Sequence, residues 1–168
     1  NPLEASKSWE RQKLKEQSAE TRDVFGGIPA ILPALLRAHR MGEKACHVGF
    51  DWKRIEDVLA KVDEELGELK VEMDKANLTA VSVPISATDA IPPAEKRALE
   101  HEVGDLLFSV VQLARWLGLS PEDCLRNCCD RFGARFKEMK NFIDQPLDQL
   151  SLDALEEAWQ KAKEQRTG

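Results

Sequence analysis

No run of about 18 or more apolar residues occurs in this 168-residue chain, tyrosine is missing altogether, and glycine and proline stop at nine and eight residues. The first absence excludes a membrane-spanning helix. The modest glycine and proline counts, with no repeating window, leave long segments in which helical spacing persists, against only short Val/Ile/Phe alternations. An all-helical protein is the reading. Positive charge is also scarce: 24 Lys and Arg against 30 Asp and Glu leave a net charge of -6. That balance argues against a sequence-independent grip on a nucleic acid polymer, which needs clustered basic residues that displace counterions. A small anionic ligand stays open if a metal bridges it. The opening Asn1-Pro2-Leu3-Glu4 has neither the basic nor the apolar block of a signal peptide. The chain therefore reads as soluble and cytoplasmic, and the missing initiator methionine points to trimming or to a piece of a longer polypeptide.

Transition-metal ligands are equally thin. There are four cysteines and three histidines. Cys124, Cys128 and Cys129 share one predicted helix without a Cys-x-x-Cys pair, a poor geometry for zinc, so all four cysteines, Cys46 included, are read as small buried thiols in a reducing compartment. No Glu-x-x-His pair of the carboxylate-bridged di-iron type is present. His39, His47 and His101 have no metal partner at diagnostic spacing and are read as packing or surface residues.

What is there is a succession of helices. The length suits one domain with a core of its own. Residues 1–28 form a thinly apolar, connective segment closed by Gly26-Gly27-Ile28-Pro29, and residues 29–168 the helical domain. A helix starts near Pro33 and carries Leu32, Leu35, Leu36, His39 and Ala45. After Gly49-Phe50-Asp51-Trp52, with Asp51 as expected cap, the next helix keeps Ile55, Val58, Leu59, Val62, Leu66, Leu69 and Met73 in register. Residues 77–92 read as a long connection, a lid or a partner contact. Pro92-Pro93 opens a third bundle helix whose apolar arc, widened by Phe108 and Val111, is too broad for one neighbour and points to a homodimer. Ser120-Pro121 begins the fourth, with Leu125, Cys128, Cys129, Phe132, Phe136 and Met139 as its core face, and Ser151 caps a last helix.

Two of these helices bear acids beside their apolar stripes. Projected at about 100° per residue, Lys61, Glu65, Glu68 and Glu72 fall in one stripe flanking the seam, and Glu64 outside it. Glu102 and Asp105 border the arc of the third helix. Antiparallel packing would bring Glu65, Glu68, Glu102 and Asp105 together, and four converging carboxylates repel unless a cation lies between them. An all-oxygen set suits magnesium, which binds few carboxylates and keeps water and phosphate oxygens. The bland alternative is a solvated acidic face. Arg131 and Arg135 stand four apart, a spacing that suits phosphate contacts and equally a solvated basic edge. Trp159 on its own reads as a core anchor before a stacking platform.

Glu64-Glu65-x-x-Glu68 followed by Glu102-x-x-Asp105 resembles the defining pattern of the MazG family of nucleoside triphosphate pyrophosphohydrolases. Val48-Gly49-Phe50-Asp51-Trp52, Gly104-Asp105-Leu106-Leu107-Phe108, Arg131-Phe132 with Arg135-Phe136, and Glu156-Glu157-Ala158-Trp159 are similar to the C-terminal catalytic half of two-repeat members. The resemblance implies an all-α, four-helix-bundle-like MazG fold with extra terminal helices. It implies magnesium, or manganese in its place, on Glu65, Glu68, Glu102 and Asp105. Lys61 and Glu64 would border the nucleotide, Arg131 and Arg135 contact it, and Trp159 lie near it. The water's proton would go to Glu64 or to a metal-bound carboxylate, Glu65 or Glu68, so that a nucleoside triphosphate is cut to monophosphate and pyrophosphate. Ala98 replaces a basic residue common in the family, with Lys96 or Arg97 as substitutes, and Cys129 and Arg131 replace asparagine and lysine. These differences bear on base preference more than on the metal site. A narrower enzyme for deoxyuridine or modified nucleotides, or a silent helical nucleotide- or protein-binding module, is the competing reading.

Overall fold

The computed structural model describes residues 23–78 and 91–164, so the first 22 residues and most of the 77–92 connection lie outside it. Five α-helices and no strand occur among the described residues: α1 (Ala34–His47), α2 (Ile55–Lys75), α3 (Pro93–Trp116), α4 (Pro121–Met139) and α5 (Leu152–Glu164). The chain divides into two compact units, residues 1–121 and 122–168.

Helix boundaries follow local chemistry. Pro33 and Pro92 precede α1 and α3, and Pro93 and Pro121 occupy first turns, where a missing N–H costs nothing. Gly49 and Gly118 take positive φ just beyond the ends of α1 and α3, and Asn77 does so after α2. Ser151 Oγ accepts from the Ala154 N–H at 3.3 Å, the expected cap of α5. The expected cap of α2 is not Asp51. Arg54 occupies that position without a side-chain cap, because the Asp51 carboxylate is engaged by α3.

In the first unit α3 packs along α2 and, less extensively, along α1. The seam departs from the apolar periodicity. On α2 the buried line runs through Val58 and Glu65, while Leu59 and Leu66 are exposed. On α3 it runs through Ser109, Val111 and Gln112, while Val103, Leu107, Phe108 and Val110 are exposed, as is Leu117 just past its end. Polar side chains thus share the buried interior with Val58 and Val111, and part of the expected apolar seam faces outward. A chain that buries Glu65 at 5 % exposure and leaves Leu107 at 53 % has assigned its inner face to something other than hydrophobic packing.

The second unit packs Met139, Ala158 and Ala162 with Phe142, Ile143, Leu147, Leu155 and Trp159. Of the expected α4 core face, Met139 is buried in this cluster and Phe132 meets it through the Trp159 ring. Leu125, Phe132 and Phe136 are exposed, and so are Cys124, Cys128 and Cys129, contrary to the expectation of buried thiols; Cys46 is half-buried. The short 3-10 turns Lys140–Phe142 and Leu147–Gln149 fold α5 back onto Met139, so the buried cluster forms at that end of α4, while the exposed thiols lie two to four turns upstream.

Candidate metal and nucleotide site

Helical spacing puts Lys61, Glu65 and Glu68 one turn apart on α2, and Glu102 and Asp105 one turn apart on α3. Carboxylate oxygens of Glu65, Glu68 and Glu102 all lie within 4.8 Å of one another. The helices run antiparallel here: Glu65 and Glu68 meet Glu102, while Lys61, a turn earlier, shares a cavity with Phe108 and Gln112 further along α3. Asp105 is half-exposed and groups with Glu102 and His101, again within 4.8 Å. His101 Nδ1 lies 3.1 Å from Asp105 and 3.5 Å from Glu102.

The charges are unevenly compensated. Lys61 Nζ lies 2.7 Å from Glu65 Oε1 and 2.9 Å from Glu64 Oε1. These hydrogen bonds, to Glu65 first and Glu64 next, hold the Lys61 ammonium well above the ordinary lysine value. Glu68 is pushed above the ordinary glutamate value, by desolvation first and then by the negative charges of Glu65 and Glu102. Glu65 Oε2 is buried and has no hydrogen-bond partner. A buried carboxylate oxygen without a donor is costly unless a cation meets it, and three oxygen-bearing side chains with no nitrogen or sulfur among them are the donor set of a hard divalent ion. The residues fit magnesium.

Arg97 is exposed on α3, one turn before His101. Arg131 is exposed on α4. Arg135 lies over the Trp159 ring, its guanidinium carbon 5.0 Å from the centroid, with a buried Nε that has no hydrogen-bond partner. The Phe132 ring centroid is also 5.0 Å from that of Trp159. Within the second unit, therefore, Arg135 and Trp159 are brought together, and Trp159 serves the local core as well.

Sequence reasoning passed over His101 and a polar network beside the site. His101 is exposed, but its i, i+4 relation to Asp105 was available as a signal. In the network, Arg115 Nη1 and Nη2 donate to Asp51 Oδ2 and Oδ1 at 3.0 and 2.6 Å, and Trp116 Nε1 donates to Oδ1 at 3.0 Å. Burial works against ionisation of Asp51, but hydrogen bonds from Arg115, Trp116 and Cys46 outweigh it and hold the carboxyl below the ordinary aspartate value. Arg115 Nε donates to Gln112 Oε1 at 2.8 Å, and Gln112 Nε2 donates to the Ala38 carbonyl at 3.1 Å. One network thus ties the turn before α2 to α3 and α1.

Residues 53–139, which include Lys61, Glu64, Glu65, Glu68, Glu102 and Asp105, match the MazG nucleotide pyrophosphohydrolase domain. The chain is 38% identical over 166 residues to the nucleoside triphosphate pyrophosphohydrolase/pyrophosphatase MazG of Thermotoga maritima, covering 97% of this chain and 57% of that protein. It is 32% identical over 169 residues to the nucleoside triphosphate pyrophosphohydrolase of Escherichia coli, covering 98% and 58%. A third similarity, 33% over 69 residues, is to the Bacillus subtilis protein YabN, covering 39% of this chain and 14% of that protein. The chain spans less than three fifths of the length of the first two relatives. With the family match covering more than half of its 168 residues, the chain belongs to the MazG nucleotide pyrophosphohydrolase family.

Proposed function

We propose that this chain hydrolyses nucleoside triphosphates to nucleoside monophosphate and pyrophosphate, with magnesium held by Glu65, Glu68, Glu102 and Asp105 and manganese able to replace it. The observation that carries the reading is the convergence of carboxylate oxygens of Glu65, Glu68 and Glu102 within 4.8 Å of one another, on a Glu65 whose buried Oε2 has no hydrogen-bond partner. The first two relatives carry this activity in their names.

The bound metal supplies charge neutralisation for the triphosphate and a water of lowered pKa. The protein's share is positional. Lys61 holds Glu65 in one orientation through Oε1, which leaves the buried Oε2 without a hydrogen-bond partner. Glu64 shares that lysine but lies outside the cluster of three, so it is left to take the proton of the attacking water. Arg131 and Arg135 supply guanidinium contacts to the nucleotide, with Arg97 in the place of the family's more usual base near Ala98.

The same reading includes a homodimer and a cytoplasmic location. Val103, Leu107 and Val110 on α3, with Leu117 just past its end, form an exposed line, an apolar face of the kind that a second copy covers. Among the described residues no helix is long and apolar enough to cross a membrane.

The test is to incubate the protein with each common triphosphate and magnesium and to measure pyrophosphate and monophosphate. Equal amounts of the two products are expected, with Glu68→Ala lowering the rate at least about 100-fold, the scale of lost charge stabilisation at a reacting phosphate. Release of single phosphates, or an unaltered rate in Glu68→Ala, overturns the reading.

A further inference from the structure

Cysteine is among the residues most often buried, yet Cys124, Cys128 and Cys129 on α4 are all exposed. None of them takes part in the proposed hydrolysis. An accessible thiol is open to oxidation and to capture of soft metal ions, so three of them on one helix face the solvent with chemistry of their own.

Spacing sorts the three. Helix α4 is continuous from Pro121 to Met139, so Cys124 and Cys128, four residues apart, stand one above the other on a single face. Cys129 is turned about 100° from Cys128 and about 140° from Cys124, and adjacent residues of a helix do not face each other. The helix therefore presents one dithiol, Cys124 with Cys128, and a separate thiol, Cys129.

Two reactions are open to such a dithiol, and lengths decide between them. A disulfide needs its Cβ atoms about 3.5 to 4.5 Å apart, whereas an i, i+4 pair on a helix holds them about 5 to 6 Å apart. Closing that bond would distort a turn of α4. A bridging ion reaches further, because two metal–sulfur bonds of about 2.3 Å allow the sulfurs to stand up to about 4.6 Å apart. The helix accommodates a metal ion between the sulfurs better than a bond between them.

The donor set selects the ion. The α4 residues one turn away from either thiol are Pro121, Leu125, Asn127, Arg131 and Phe132, which bring neither imidazole nor carboxylate to that face. Structural zinc and iron–sulfur sites take four ligands, while a pair of thiolates suits a soft ion that is satisfied by two. We propose that Cys124 and Cys128 form a dithiolate site for one soft monovalent cation of the Cu(I) type. As each metal–sulfur bond forms, its thiol releases one proton, and the ion keeps its oxidation state. The complex carries a single negative charge, which the exposed Arg131, three residues beyond Cys128, is placed to offset. The acidic cluster plays no part in it, so the site stands or falls independently of the pyrophosphohydrolase reading.

The experiment titrates the reduced full chain with Cu(I) under argon, in competition with a colorimetric Cu(I) chelator. One ion per chain is expected, with the ultraviolet absorption of a copper thiolate and, by X-ray absorption, a shell of two sulfurs. Cys124→Ser and Cys128→Ser are each expected to lower the affinity at least about 100-fold, beyond the roughly 10- to 100-fold effect of losing an outer-shell partner. Cys129→Ser is expected to leave it unaltered, and circular dichroism checks that each variant keeps its helices. The wild type supplies a second reading that needs no variant: bound Cu(I) is expected to shield Cys124 and Cys128 from iodoacetamide while Cys129 is alkylated as before. Shielding of Cys129, a loss in Cys129→Ser equal to that in the other two, or an ion shared between two chains in a copper-dependent dimer overturns the proposal. So does zinc bound as tightly as Cu(I), or no copper retained against the chelator.

Discussion

Lys61 on α2 is bound to two successive glutamates of its own helix, at 2.9 Å to Glu64 and 2.7 Å to Glu65. Of the two, Glu65 is buried and Glu64 exposed, so the lysine is the local counter-charge of a carboxylate that the fold has taken out of water. Removing it exposes the underlying conflict. Lys61→Met is expected to lower the stability of the metal-free protein by about 1 kcal/mol, the low end for orphaning a buried carboxylate because the lysine is itself a third exposed. It is also expected to enlarge the stabilisation produced by magnesium. Chemical denaturation with and without 10 mM-scale magnesium checks both; a Lys61→Met protein that responds to magnesium less than the wild type contradicts the arrangement.

Glu68 behaves in the opposite sense. Desolvation and its neighbours Glu65 and Glu102 make its ionised form unfavourable in the absence of a cation. Glu68→Gln removes that repulsion, so the metal-free variant is expected to melt at or above the wild-type temperature. Magnesium at about a hundred times its dissociation constant would stabilise the wild type by about 2.7 kcal/mol, and Glu68→Gln is expected to lose most of this. A thermal melt series against magnesium concentration reads both effects, and a general loss of structure would instead lower the metal-free melting point.

Much of this was legible in the sequence, and what was not has a physical cause. Proline and glycine placed the ends of α1 and α3 because those residues act locally, through a missing donor or a positive φ. Spacing alone put Glu65, Glu68 and Glu102 near one another. It missed which members of the apolar seam are exposed: Ile55, Val58, Val62, Leu69 and Met73 are buried or half-buried, as the spacing has them. Apolar periodicity assigns Leu59, Leu66 and Val103 to the interior, where the structure instead buries Glu65, Ser109 and Gln112. The rule that buries apolar residues gives way where polar side chains satisfy one another or await a ligand. Asp51 shows the same limit: a cap is read from neighbours in sequence, while two of its partners, Arg115 and Trp116, are more than sixty residues away.

Asp51 supplies a pH prediction. Its carboxyl titrates below the ordinary 3.8 in the folded chain, so the unfolded chain takes up its proton first as the pH falls. The stability it contributes is fully present above the ordinary value and is lost as the pH drops through the lowered folded one. Asp51→Asn is expected to cost roughly 2 to 4 kcal/mol at neutral pH, by leaving Arg115 without its charge partner. The deficit is expected to narrow below pH 3.8. Urea denaturation of both proteins between acid and neutral pH measures it; a constant deficit across that range would assign the loss to packing alone.

Gly42 is the least visible contributor to this network. It lies in the middle of α1 and is buried, where alanine is ordinarily favoured by about 1 kcal/mol. A Cβ at this position would enter the Gln112 carboxamide and come within 2.8 Å of Arg115 Nε. Gln112 is 1 % exposed and held through both ends of its amide, so it has no room to yield. Gly42→Ala is therefore expected to destabilise by roughly 1 to 3 kcal/mol, the overpacking range, and to displace Arg115 from Asp51. The double variant Gly42→Ala, Gln112→Ala separates the clash from any property of the helix. Removing the carboxamide makes room for the methyl group, so the added alanine should then cost less than it does beside Gln112. An undiminished cost in the Gln112→Ala background would show that the methyl group meets something else.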